Sequence, residues 1–273
     1  MTLAAARAIL FVPGDRPEWV DGALASGADA VVLDLEDGLA GEQKSAGRCT
    51  VLATVARLRR PEVGVRISSL STPDGVRDVA ALLDAAVRPA FLVIPKVRSA
   101  AEALTVVDAL QWDGEVVCGI ESVEGIHHAT EIAAVCDHVT AVGFGAVDLA
   151  AQLGAQLDWA PLAAARAQVV WAAAAAGVAA FDAPCLDLTS SDALVADCGR
   201  AAAMGFTGKI AIHPDQVCHI RAQFTPTAEE VEDARAMLAA GATGAAARHR
   251  GAMVDRATLR RAAQLVARAE EAG

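Results

Sequence analysis

The chain has no CxxC pair, no cysteine and histidine spaced as zinc ligands, and no GxGxxG, Walker, GxSxG or HExxH motif. These absences remove the dinucleotide-binding loop, the P-loop, the serine-hydrolase elbow and the zincin from consideration. The string GFGAVD at 143–148 has an acid where a dinucleotide loop would carry its third glycine. No apolar run approaches the roughly 18 residues that span a bilayer, so no membrane partner is expected. Surplus positive charge is missing too. With a formal net charge of −11 the surface does not suit nucleic acid, and an anionic substrate needs a local basic patch or a metal.

The six cysteines, Cys49, Cys118, Cys136, Cys185, Cys198 and Cys218, lie mostly in apolar runs and read as reduced residues of a cytoplasmic protein. The N-terminal AAARAILFVPGDRP has a brief apolar part that ends in Pro13, Gly14, Asp15 and Arg16 without a small-residue cleavage pattern. It reads as a first strand.

What the chain does have is a strand-then-helix alternation over 273 residues, of which 54% are hydrophobic. Short β-branched runs place strands at 8–12, 30–35, 64–67, 91–94, 115–120, 139–143, 178–181 and 209–212. Helical patterns fill the gaps, among them one long helix at 125–135. About eight such units close a (β/α)₈ TIM barrel at a typical length of roughly 250 residues. A doubly wound open sheet is the rival; it wants fewer strands and a Gly-rich first turn, where this chain has PGDRP. The barrel is expected over 1–225 and a C-terminal helical extension over 226–273. Within that extension the Gly/Ala segment 240–247 and the residues after it read as a loop that lets the last helix pack on a neighbouring subunit.

The strands at 115–120 and 139–143 are each followed by an acid, Glu121 and Asp148. In a parallel α/β protein all strands open toward the same end, so these carboxylates are expected to face one another and to suit Mg²⁺. The same end collects Asp15, Arg16, Glu36, Asp37, Arg66, Ser68, Lys96, Asp182 and His213. Each has a plainer alternative: Glu121 and Asp148 as acids at helix N-termini, Arg66 as a structural partner of Glu36 or Asp37, Lys96 as a solvated loop lysine. For His213 a hydrogen-bonded core role is the stronger reading. Convergence of so many charged groups on one mouth favours a functional site.

These residues resemble the citrate lyase β-subunit-like family of the aldolase/citrate lyase superfamily, relatives of malyl-CoA and citramalyl-CoA lyases. The matching stretches are FVPGDRP (11–17), VVLDLEDG (31–38) with Lys44 and Arg48 downstream, VRIS (65–68), IPKV (94–97), GIES (119–122), GFGAVDLAAQLG (143–154), GKIAIHPDQ (208–216) and GAMVD (251–255). The resemblance implies a TIM barrel that assembles as a homotrimer or hexamer. It implies that Glu121 and Asp148 ligate Mg²⁺ and that Arg66 holds the carboxylate or carbonyl oxygen of a 2-oxo acid. Glu36 and Asp37 are implied to support the metal's waters and Arg66, while Arg16 and Lys96 lie near the acyl-CoA. Asp255, which the sequence alone reads as the N-cap of the last helix, is implied to reach a neighbouring active site and handle the proton at the thioester α-carbon. Two positions depart from the family pattern: Ser68, where relatives carry Asn, and Arg98, where they often carry Glu.

The expected activity is Mg²⁺-dependent carbon–carbon lysis or synthesis of a short 3-hydroxyacyl-CoA such as malyl-CoA or citramalyl-CoA. The alternatives are hydrolysis of the same thioesters, a CoA-independent aldolase releasing pyruvate, and the β subunit of a citrate lyase complex. The aldolase branch has a histidine after its second strand, whereas this chain has none before His127.

Overall fold

The computed structural model describes residues 3–241, 247–250 and 252–270. The chain divides into two compact units, Met1–Arg221 and Ala222–Gly273. The first contains a closed eight-stranded parallel barrel in sequence order: β1 (Ala8–Pro13), β2 (Ala30–Asp34), β3 (Val63–Arg66), β4 (Phe91–Ile94), β5 (Glu115–Ile120), β6 (Val139–Phe144), β7 (Ala179–Asp182) and β8 (Gly208–Ala211). Closure is made by β1 against β8, with Ala8 opposite Lys209 and Leu10 opposite Ala211. Between the strands lie α1 (Val20–Ala25), α2 (Lys44–Leu58), α3 (Pro73–Asp84), α4 (Ala100–Leu110), α5 (Val123–His127), α6 (Ala129–Ala133), α7 (Ala146–Leu153), α8 (Trp159–Ala176) and α9 (Ser191–Met204), and α10 (Pro214–Phe224) follows β8.

The strands are buried on both faces, so they read as continuous apolar runs rather than alternating ones. Every residue of β2, β4 and β7 is buried. Side chains still alternate inward and outward with a period of two. The inward set forms the barrel core: Ile9, Ala30, Val32, Phe91, Val93, Val117, Ala141, Ala179 and Phe181, joined by Leu3 and Ala6 from the N-terminal segment.

This alternation sends Asp182 elsewhere than the mouth. Phe181 belongs to the interior core, so Asp182 points to the helix layer, where it is fully buried. There its Oδ1 accepts from Arg166 Nε at 2.8 Å, and its Oδ2 from Lys209 Nζ at 2.6 Å. Lys209, also fully buried, reaches Asp197 Oδ2 at 2.6 Å. Arg166 and Arg200 stack on the Trp159 ring at 4.5 and 5.0 Å. The network therefore joins β7 and β8 to α8 and α9.

Two local expectations are corrected. The helix expected at 125–135 is two short ones, separated where His128 leaves helical geometry at φ −100° and ψ 8°. A helix not expected, α7, follows β6 and is capped by Gly154 in the left-handed region.

The second unit holds α11 (Ala228–Gly241), a hairpin of β9 (Ala247–His249) and β10 (Ala252–Val254), and α12 (Arg256–Glu270). The residues read as a loop thus include an antiparallel pair with Met253 opposite Arg248. His249 Nε2 and Arg250 Nε both meet Asp233 Oδ1, at 2.7 and 2.9 Å, and fasten the hairpin to α11. Of the Gly/Ala segment 240–247, residues 242–246 lie outside the described residues. No described helix is long and apolar enough to cross a membrane.

The buried network sets a stability test. Asp182→Ala leaves Arg166 and Lys209 short of counter-charge inside the protein and is expected to lower the unfolding free energy by about 3–5 kcal/mol, measured by urea denaturation beside the parent.

Candidate active site

The carboxyl ends of the strands open on a cavity of about 430 Å³ lined by Asp34, Arg66, Glu121 and Asp148 among others. Arg66 ends β3 and points inward over the Phe11 ring at 5.0 Å. Asp34, the last residue of β2, accepts from Arg66 Nε and NH2 at 2.6 Å each, a bidentate pair. The same carboxylate accepts the backbone N–H of Glu36 and of Gly38 at 2.9 Å, so it shapes the β2 loop while aiming the arginine. Glu36 Oε2 lies 3.1 Å from Arg66 NH1. Burial works against the guanidinium, but Asp34 and Glu36 outweigh it and raise its pKa. Lys44 holds the loop from behind, with Nζ donating to the carbonyls of Leu35 and Glu36 at 2.6 Å each.

Glu121 follows β5 and is buried. Its Oε1 accepts the Lys96 N–H at 3.2 Å, and Ser122 beside it N-caps α5. Close-fitting glycines hold it in place: a Cβ on Gly119 would stand 2.3 Å from Glu121 Oε1, and one on Gly145 would stand 2.3 Å from its Cγ. Asp148 lies in the first turn of α7, so its place at a helix N-terminus and its place at the mouth coincide.

Lys96 joins these acids. Its ammonium lies 2.8 Å from Glu36 Oε1, 3.1 Å from Asp37 Oδ2 and 3.3 Å from Asp148 Oδ1. It does so from a left-handed backbone with φ 52°, uncommon for a non-glycine residue and frequent at functional sites. It is no solvated loop lysine. Burial opposes its charge, yet the hydrogen bond to Glu36 and the nearby acids raise its pKa.

Of the residues singled out from sequence, Glu36, Asp37, Arg66, Lys96 and Asp148 therefore meet in one ion-paired cluster, with Glu121 beside it on the Lys96 N–H and within the field of Arg66. Arg16 is half exposed on the loop after β1, stacked on Trp19 at 5.6 Å, and does not line the cavity. His213 is exposed, not core; its Nδ1 accepts the Asp215 N–H at 3.2 Å. Ser68 is buried and its hydroxyl donates to the Leu35 carbonyl at 2.9 Å, while Arg98 is locked to Glu102 at the start of α4. Asp255, in the second unit, is exposed, and its Oδ1 accepts from the N–H groups of Thr258 and Ala257 at 2.8 and 3.0 Å. Those bonds, Thr258 foremost, hold its carboxyl below the usual range.

Sequence reasoning missed Asp34. It was detectable as the one charge inside an otherwise apolar buried strand, in phase with inward Val32, where an unpaired carboxylate would not be tolerated.

Burial, with Glu36 and Asp148 adding to it and Arg66 opposing, pushes Glu121 up to about 8 from its ordinary 4.5. A carboxyl whose folded pKa is raised stabilises the fold below its unfolded value, and that contribution is lost as pH rises through the folded one. The metal-free protein is therefore expected to lose stability from about pH 4.5 to about pH 8. Glu121→Gln should flatten that part of the profile, read as urea midpoints in chelator-treated buffer.

A family model described as HpcH/HpaI aldolase/citrate lyase matches residues 7–214, and one described as a C-C bond lyase of the TIM-barrel fold matches residues 167–273. The chain is 36% identical to an L-malyl-CoA/beta-methylmalyl-CoA lyase of Cereibacter sphaeroides, over 97% of this chain and 94% of the relative. It is 32% identical to a mitochondrial citramalyl-CoA lyase of Mus musculus, over 95% and 85% respectively. Among solved structures, protein CitE from Mycobacterium tuberculosis in complex with magnesium, acetoacetate and coenzyme A is similar with a TM-score of 0.86 and 34% identity, covering 98% of this chain and 100% of that one. Fold, mouth chemistry and these similarities agree: the chain belongs to the HpcH/HpaI aldolase/citrate lyase family.

Proposed function

We propose that the protein is a Mg²⁺-dependent carbon–carbon lyase that cleaves, or forms, a short 3-hydroxyacyl-CoA thioester such as malyl-CoA or citramalyl-CoA. The observation that carries this reading is the meeting of Arg66, Glu121 and Asp148 on one cavity.

Glu121 and Asp148 would hold the ion. Two hard carboxylates, with the remaining positions left to water and substrate oxygens, are what Mg²⁺ takes. Among the described residues no cage of three or more acids, histidines or cysteines competes for it. The cluster is also short of positive charge, since one ammonium serves three acids and Glu121 is driven toward its neutral form. When bound, Mg²⁺ supplies Lewis-acid stabilisation of the substrate's developing oxygen charge, worth several kcal/mol.

Arg66, pinned by Asp34 and Glu36, presents a fixed cation to the carboxylate or carbonyl oxygen of the 2-oxo acid half. Glu36 and Asp37 hold Arg66 and Lys96 in position, and Lys96 balances the acids between them. Arg16, exposed on the loop after β1, is assigned to the CoA portion. In cleavage the substrate hydroxyl gives its proton to a carboxylate of the mouth, its oxygen becomes the carbonyl of the 2-oxo acid as the carbon–carbon bond breaks, and that bond's electron pair becomes the thioester enolate. Asp255 of a second copy, carrying a proton taken from solvent, protonates the enolate at the α-carbon, and the mouth carboxylate returns its proton to solvent. In the forming direction the ionised Asp255, its pKa held low by Thr258, removes that proton. This role requires a homo-oligomer, proposed as a trimer or hexamer, and the six free thiols suit the cytoplasm.

Purified protein with Mg²⁺ is expected to convert malyl-CoA or citramalyl-CoA to a 2-oxo acid and a shorter acyl-CoA, identified by mass. Chelation should abolish turnover. Glu121→Ala and Arg66→Lys should each cost about 10²–10³-fold in kcat. Free hydroxy acid together with free CoA would mark a hydrolase. A Glu121→Ala variant equal to a parent that neither binds Mg²⁺ nor cleaves these thioesters would sink the reading. Asp255→Ala should lower kcat by about 10²–10⁴-fold while leaving Mg²⁺ affinity unchanged by calorimetry.

A further inference from the structure

The cavity is divided by chemistry. The ends of β2, β3 and β5, with the start of α7, carry its charged groups: Asp34, Asp37, Arg66, Glu121 and Asp148. Across the barrel the lining is apolar, with Phe181 on β7, four strands from Arg66 on β3, and Ile210 on β8. Phe11, Val93 and Val117 continue this surface beneath the charges.

Gly143 deepens the apolar half. It is the inward residue of β6 at the level of the site, paired in register with Gly119. A Cβ built there would meet only Val117 Cγ1, at 3.9 Å, so a side chain at this position would project into open cavity. Gly119 and Gly145 differ, because a side chain on either would collide with Glu121. At Gly143 the missing side chain serves volume rather than the placement of a neighbour.

The whole cavity, about 430 Å³, exceeds what the smallest acid needs. The CoA portion of a thioester is far too large for the barrel interior and must remain at the mouth. The acid half is the part held deepest when its oxygens meet Arg66, Glu121 and Asp148, so its substituent is the one set toward the apolar floor. We propose that the space above Gly143, walled by the partly exposed Phe11 and Ile210 over the packed Val117 and Phe181, is a pocket for an alkyl substituent on that acid half. The enzyme accordingly handles 2-oxo acids with an alkyl chain longer than methyl, and glyoxylate, which has none, is the poorest of the series. This rests on the lyase reading of the site.

The test is calorimetric titration of the full-length protein in Mg²⁺ with glyoxylate, pyruvate, 2-oxobutanoate and 2-oxopentanoate. Each added methylene that enters an apolar pocket contributes about 0.8 kcal/mol, so the dissociation constant should fall about four-fold per step from pyruvate onward. Gly143→Ala should shrink the ratio between 2-oxopentanoate and pyruvate, and Gly143→Val should bring it close to unity. A parent series that is flat, or that weakens as the chain grows, overturns the pocket and leaves the lyase reading standing. An unchanged ratio in both variants overturns the assignment to Gly143. Failure of every 2-oxo acid to bind overturns the pocket together with the lyase reading.

Discussion

Two half-buried cations, Arg66 and Lys96, are held by four acids at one end of a closed barrel, and each set offsets the cost of placing the other there. Arg66 answers Asp34 and Glu36, and Lys96 answers Glu36, Asp37 and Asp148. Taking such charges out of water costs several kcal/mol each unless geometry and hydrogen bonds compensate. Compensation here comes from the bidentate Asp34–Arg66 pair, from backbone N–H donors to Asp34 and from Lys44 behind the loop. Glu121 and Glu36 are carboxyls the cluster does not fully satisfy, since burial raises the pKa of each in spite of the nearby cations.

The barrel supplies two such layers, sorted by residue parity. Inward residues at the strand ends form the charged cluster that lines the cavity. Outward residues one position away, Asp182 and Lys209, carry the ties to α8 and α9. Both layers are strongly charged, and only the inward one faces a cavity. Charge near a strand end is therefore no guide to function until its phase is known.

Much of this was legible from the chain itself. The strands were readable because parallel strands covered on both faces leave unbroken apolar runs, and the mouth because every strand of a barrel points the same way. For Lys96 the sequence leaves a solvated lysine open beside a place at the mouth, since its partners come from the ends of other elements and no local pattern announces them. His213 was misjudged: its Pro214 neighbour begins α10, and the imidazole caps that helix in solvent. Helix α7 escaped notice because the Gly-rich GFGA that precedes it masks where helical periodicity begins. The β9–β10 pair escaped because three residues per strand are too few for an alternation to register.

Glu121 and Asp148 are held at the mouth by different kinds of element. Glu121 is rooted at the end of a strand belonging to the closed frame, but Asp148 rides on a short helix inserted after β6. One half of the pair is thus inherited with the architecture and the other with an appendage. Lengthening, tilting or recapping that appendage would retune the gap between the two oxygens without disturbing a single rung of the barrel, a degree of freedom that a site built wholly on strands would lack.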